Sequence, residues 1–274
     1  MHSLVTLVLM ALVAASCTRQ QPQEAAPAGS SAGARPTEHT HSTTSTPEPE
    51  ESPSPASGPF PAAVRKDPYQ PKINPADFTT RIDNPYFPLT PGRSYRFEGT
   101  TSYGDETDTV TVTNQTVEIL GVRCVVVKDA VQTNGALTEL TFDWYAQDAA
   151  GNVWYFGEDS HEISGGVPTS SAGSWRAGAD GARPGVVMPA EPKVGLTYRQ
   201  EYLVGRAEDM ARVLALHAKT DVPYGSFDQL VLTRDWSPLE PSVIEHKYYA
   251  KGVGLVMETL VAGVDVSKLV DVQA

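Results

Sequence analysis

Pro91-Gly92-Arg93-Ser94-Tyr95-Arg96-Phe97-Glu98 recurs 103 residues later as Val194-Gly195-Leu196-Thr197-Tyr198-Arg199-Gln200-Glu201, with glycine, tyrosine, arginine and glutamate in register. Further along, Trp144-Tyr145-Ala146 matches Tyr248-Tyr249-Ala250, and Gly121 matches Gly225, both at an offset of 104. Three matches at nearly one offset read as an internal duplication, with copies over about 88–160 and 191–262. Two copies are too few for a solenoid, which needs at least three stacked units. Two halves of one sheet, or two sheets packed face to face, satisfy the pattern.

Each copy reads as a run of antiparallel strands. Tyr95 to Thr101, Asp108 to Ile119, Val122 to Val131, Leu137 to Gln147 and Asn152 to Phe156 are rich in Val, Thr, Tyr, Trp and Phe and are separated by Gly- or Asp-rich turns. Asp148-Ala149-Ala150-Gly151-Asn152 reads as a hairpin turn, matched by the tighter Lys251-Gly252-Val253-Gly254. Only Ala207 to Leu216 could be helical, and it reads equally as a strand. The expected fold is therefore mainly β, an internally duplicated antiparallel sheet, half-barrel or sandwich-like, over residues 72–274.

Upstream the composition changes. Leu4 to Ala15 is uncharged and too short to span a bilayer, which takes about 20 residues, so it reads as the apolar part of an export signal over 1–16. Its exit, Ala14-Ala15-Ser16-Cys17, resembles the lipobox of bacterial lipoproteins. That resemblance implies a diacylglycerol on the Cys17 sulfur, further acylation such as palmitate, and a lipid membrane as partner. An ordinary secretory signal cut near Ser16 is the alternative. Residues 17–71 are dominated by Pro, Ser, Thr, Ala, Glu and Gly, too poor in apolar side chains to offset ordering entropy, and read as a disordered spacer.

A net charge of −12 and a pI near 4.9 argue against nucleic acid or an anionic membrane face as a partner of the domain. With Cys17 acylated, Cys124 is the remaining thiol, and its place in Val122-Arg123-Cys124-Val125-Val126-Val127 reads as buried and inert. His161-Glu162-Ile163-Ser164-Gly165 lacks the second histidine of a zinc protease, and Gly252-Val253-Gly254 lacks the third glycine of a dinucleotide loop. No motif calls for a cofactor or names a catalytic residue.

Phe87-Pro88-Leu89-Thr90-Pro91-Gly92, Val222-Pro223-Tyr224-Gly225-Ser226-Phe227-Asp228 and Tyr248-Tyr249-Ala250-Lys251-Gly252-Val253-Gly254-Leu255-Val256 resemble segments of uncharacterised β-rich bacterial lipoproteins and secreted proteins. A looser, fold-level likeness is to the half-barrels of lipid-binding envelope lipoproteins. The first implies an extracytoplasmic protein and transfers no catalytic residue. The second implies a hydrophobic small molecule in a concave face.

Comparing the copies yields a candidate site. Taking Leu140, Phe142, Trp144 and Ala146 as the core-facing side of their strand, the partner side is Ile244, His246, Tyr248 and Ala250. His246 then replaces Phe142, Gln200 replaces Phe97 and Glu258 replaces Phe156. Three polar groups at core positions are expected to meet in one pocket, walled by Trp144 and Tyr248, with His246 hydrogen-bonded to Gln200 or Glu258. The connection from Ser164 to Lys193 carries Trp175 and is expected to act as a lid or a plug. Glu201, Glu208, Asp209 and His217 form a weaker group that reads as a cation site or as solvated surface charge. The functional expectation is a membrane-anchored protein of the bacterial envelope that binds an apolar ligand or an envelope partner. The alternatives are an enzyme using His246 with a carboxylate or metal, and a structural or interaction module.

Overall fold

The structure, a computed structural model, describes residues 69–274. The export signal, Cys17 and nearly all of the spacer lie outside the described residues. After a 3-10 turn at Pro75–Asp77 capped by Asn74, and a short strand β1 (Phe78–Thr79), the chain makes a first meander. It runs β2 (Ser94–Thr101), β3 (Gly104–Ile119), β4 (Val122–Thr133), β5 (Ala136–Asp148) and β6 (Val153–Ser164), each strand antiparallel to the next. Turns carry the expected chemistry: Asp148 accepts the N–H groups of Ala150 (3.0 Å) and Asn152 (2.9 Å) and the Trp154 indole N–H (2.8 Å).

Three short strands then line the far edge of β6. They are β7 (Val167–Ser170), β8 (Trp175–Arg176) and β9 (Arg183–Met188). The connection expected to be a lid or a plug is thus built into the sheet. A second meander follows as β10 (Thr197–Arg199), β11 (Glu201–Tyr202), β12 (Met210–Val222), β13 (Gly225–Trp236), β14 (Ile244–Ala250) and β15 (Gly254–Leu260), and β16 (Val266–Gln273) joins β15 to β2. The segment Ala207 to Leu216 is strand from Met210 onward, and no α-helix occurs among the described residues.

The matched sequence segments occupy matching strands. Arg93–Glu98 leads into β2 as Leu196–Glu201 leads into β10 and β11, and β3 to β6 stand in the same order as β12 to β15. β10 pairs with β12 while β11, one residue on, pairs with β9. The sheet therefore comes back on itself, an antiparallel barrel closed almost all the way round.

One end is sealed by residues 82–89. Ile82 bridges Leu89, the Asn84 side chain donates to the carbonyls of Gly151 (2.9 Å) and Pro189 (3.2 Å), and Gly252 N–H donates to the Pro85 carbonyl (2.6 Å). The segment ties the hairpin tips of both meanders together. Beneath it Phe87, Leu89, Tyr95, Phe97, Val110, Val112 and Tyr145 pack as an apolar core, leaving a cavity of only about 30 Å³. That is room for one water, not for an acyl chain.

Side chains alternate across a strand, so each strand declares which face it buries. On β5 the buried set is Glu139, Thr141, Asp143 and Tyr145, while Leu140, Phe142 and Trp144 are half-buried on the outside. On β14 the buried set is Glu245, Lys247 and Tyr249, with Ile244, His246 and Tyr248 outside. This reverses the face assignment made from hydrophobicity. The apolar row is the outer one, and the polar row points into the barrel.

Candidate functional site

Away from the sealed end the barrel interior is lined by carboxyl groups. On β3 the inward row changes from Val112 and Val110 to Asp108 and Glu106, and β4 faces it with Asp129. β5 adds Asp143 and Glu139, and β6 adds Glu158. From the second meander come Glu201, Asp209, Asp235, Glu245 and Glu258, with Lys247 the single buried lysine among the described residues.

Burial from water is the main cause of what these groups do, because a low dielectric disfavours the charged form. It pushes Glu106 up to about 8, with the Asp129 charge adding to the effect, and Asp108 up to about 7. Glu139, Asp143 and Asp209 are each raised to about 8, first by burial. Asp129, Glu158, Glu201 and Glu258 are raised well above the carboxylate range for the same reason. Neighbouring carboxyls reinforce this by repulsion.

Held protons turn repulsion into hydrogen bonding. Among the described residues no side chain donates to Asp108 or Asp129, so a proton retained by the pair is what lets one carboxyl hydrogen-bond to the other. Glu258 and Glu245 are both raised by burial, a proton retained by Glu258 lets it hydrogen-bond to Glu245, and the Lys247 ammonium sits 3.4 Å from Glu258 and 3.5 Å from Glu245. The Tyr155 hydroxyl donates to Asp143 (2.5 Å) and contacts Glu158 (3.1 Å), and Thr141 and Ser160 donate to Glu139. Thr233 and Gln200 donate to Asp235, the latter at 3.0 Å.

The structure separates the residues expected to form one pocket. Gln200 and Glu258 are part of this interior, and Glu258 is fully buried. Gln200, Asp209, Asp235, Lys247 and Tyr155 surround an enclosed space of about 20 Å³. His246 lies on the opposite face of β14 from Lys247, the cross-strand partner of Glu258, and stands beside Arg234. Burial and the Arg234 charge lower its pKa rather than raise it. The shared pocket of His246, Gln200 and Glu258 is therefore corrected, and Tyr248 lies with His246 on the outer face. Of the weaker acidic group, Glu201 and Asp209 are interior, Glu208 accepts from the Gly205 N–H and His217 contacts Gln229 at the surface. No group of three His, Cys, Asp or Glu among the described residues is disposed to hold a metal ion. Cys124 is fully buried, and burial pushes its thiol up to about 12.

Trp144 and Trp175 do come together, at the barrel's seam. There β8 lies along β6, and the turn after β11 approaches from the other side, Arg206 donating to the Ser174 carbonyl at 3.4 Å. The approach of β8 requires glycine at 157: its φ is +129°, and a Cβ would sit 2.3 Å from the Trp175 carbonyl oxygen. Between the two lips is an open cleft of about 380 Å³ lined by Trp144, Glu158, Trp175, Arg176, Leu203 and Arg206, among others. Arg176 stacks over the Trp144 ring at 5.4 Å, and Trp175 packs edge-on against Tyr155 at 5.3 Å. Glu158 belongs both to the cleft and to the carboxyl interior, so the cleft is where that interior meets the surface.

No protein-family model and no curated protein matches the chain. Two solved structures resemble it: an inferred exported protein with YmcC-like fold from Bacteroides fragilis (18% identity, TM-score 0.42, covering 69% of this chain and 99% of the other) and an inferred lipoprotein from Parabacteroides distasonis (11% identity, TM-score 0.36, covering 69% and 98%).

Proposed function

We propose that this is an extracytoplasmic lipoprotein, tethered to a membrane through acylated Cys17 and a Pro/Ser/Thr-rich spacer, and that its barrel works as a binding protein whose ligand enters the seam cleft. The apolar segment ending at Cys17 supports export and anchoring. One observation carries the binding reading: the apolar interior has about 30 Å³ to spare, whereas the seam offers about 380 Å³ walled by Trp144, Trp175 and Leu203. These volumes support an apolar ligand lying against the cleft wall rather than inside the barrel. The two meanders are further proposed to be copies of one ancestral unit, on the matched offsets and strand order.

Native mass spectrometry of the full-length protein extracted from membranes tests both parts. The expected mass lacks residues 1–16, carries acyl chains on Cys17, and includes a co-purified ligand that Ala179→Trp, filling the cleft, removes without changing Tm. An unacylated chain would overturn the anchor. A ligand retained by Ala179→Trp would overturn the cleft.

A further inference from the structure

The floor of the seam cleft is rich in hydrogen-bond donors and poor in partners for them. The Trp175 indole N–H is buried, with the residue 4% exposed, and finds no acceptor among the described residues. A buried donor left unmade is costly, so such a group marks a place where a ligand or water supplies an acceptor. Arg206, exposed on the opposite lip, is engaged among the described residues only by the long contact to Ser174. Arg176 uses one nitrogen on the Glu118 carbonyl (2.7 Å) and keeps its remaining N–H groups while lying over Trp144. The acidic groups nearby do not cancel this. Three acids share the lining, Glu158, buried with its pKa raised well above the carboxylate range, Asp159, 3.1 Å from His161, and Asp180 on an exposed turn, and none of them forms an ion pair with Arg176 or Arg206 among the described residues.

Two guanidinium groups and an orphan indole N–H converging beside Trp144, Ala179 and Leu203 describe a specific ligand chemistry. Guanidinium forks match a carboxylate, and the aromatic and aliphatic wall matches a hydrocarbon body. We infer that the seam cleft binds a small amphiphilic carboxylate, its head on Arg206, Arg176 and the Trp175 indole and its apolar body along Trp144 and Leu203. This rests on the cleft reading above and adds to it the ligand's charge and class.

The test uses the full-length chain carrying Cys17→Ser, which changes nothing in the barrel and dispenses with detergent. Titration with decanoate and with decanol is read by tryptophan fluorescence and calorimetry. Decanoate is expected to bind saturably, and decanol at least about tenfold more weakly, since a charge-assisted hydrogen bond is lost. Arg206→Gln and Trp175→Phe should each weaken decanoate by about tenfold, while Lys219→Gln, on the distant β12–β13 hairpin, should bind as wild type. Equal affinity for decanol and decanoate would overturn the carboxylate assignment while leaving an apolar cleft standing. Absence of saturable binding by either would overturn both. Because Trp175 is buried, Arg206→Gln at the exposed lip decides the matter should Trp175→Phe fail to fold.

Discussion

Raising the pH should loosen this barrel, the reverse of acid denaturation. A carboxyl whose folded pKa lies above its unfolded value contributes stability that is fully present below the unfolded pKa and lost as pH rises through the folded one. Glu106, shifted from 4.5 to about 8 by burial and by Asp129, places the window at roughly pH 4.5 to 8. One pKa unit is 1.36 kcal/mol, so a single net proton held across that window amounts to about 5 kcal/mol. Asp108, Glu139, Asp143 and Asp209 are raised in the same direction, but they interact, so their shifts do not add. One net proton is therefore the conservative figure. For a domain of this size 1 kcal/mol moves Tm by about 2–4 °C, and the part of the window between pH 5 and pH 8, about 4 kcal/mol, gives a fall of about 8–16 °C. Thermal denaturation at constant ionic strength measures it, and Asp129→Asn, whose amide donates to Asp108 without needing a held proton, should flatten the slope. A Tm that is level or rises from pH 5 to pH 8 would refute the reasoning.

Other substitutions follow from the same geometry. Lys247→Met strands Glu245 and Glu258 without their cation and should cost about 3–5 kcal/mol in urea denaturation at pH 8, with a smaller loss at pH 5, since burial raises the pKa of both carboxyls. His246→Phe, on the outer face, should change stability by less than about 1 kcal/mol and leave the pH dependence of Tm intact; a flattened profile would return His246 to the interior. Gly157→Ala should cost at least about 2 kcal/mol, because it forces an L-residue into a left-handed backbone against the Trp175 carbonyl.

Much of the architecture was legible in the chain. The runs rich in Val, Thr and Tyr between Tyr95 and Phe156 announced strands β2 to β6, and Asp148–Asn152 announced its hairpin. What misled was the equation of apolar with inward. Leu140, Phe142 and Trp144 alternate with Glu139, Thr141 and Asp143, so period-two alternation defines two faces without saying which is inside. Burial of an acid is normally prohibitive, so the apolar row reads as the inner one. Carboxyl–carboxyl pairing through retained protons removes the objection, but only when acids from β3, β4, β5, β14 and β15 converge, and that is a tertiary fact. The signal available was Glu106-x-Asp108-x-Val110-x-Val112, an alternation that continues from valine into acid on one face. Closure of the barrel by the short pair β10 and β11 left no trace in composition. The joint role of Trp144 and Trp175 depends on that closure.

Which face of β5 points inward is the central claim, and cysteine labelling reads it directly. In the Cys17→Ser background, with Cys124 fully buried, Thr141→Cys and Phe142→Cys place a thiol on adjacent residues of one strand. Exposed to a hydrophilic maleimide at pH 6.5 in the folded state, Phe142→Cys should label readily and Thr141→Cys should stay protected until denaturant is added. Rapid labelling of Thr141→Cys with protection of Phe142→Cys would contradict the carboxyl-lined interior and restore the apolar one.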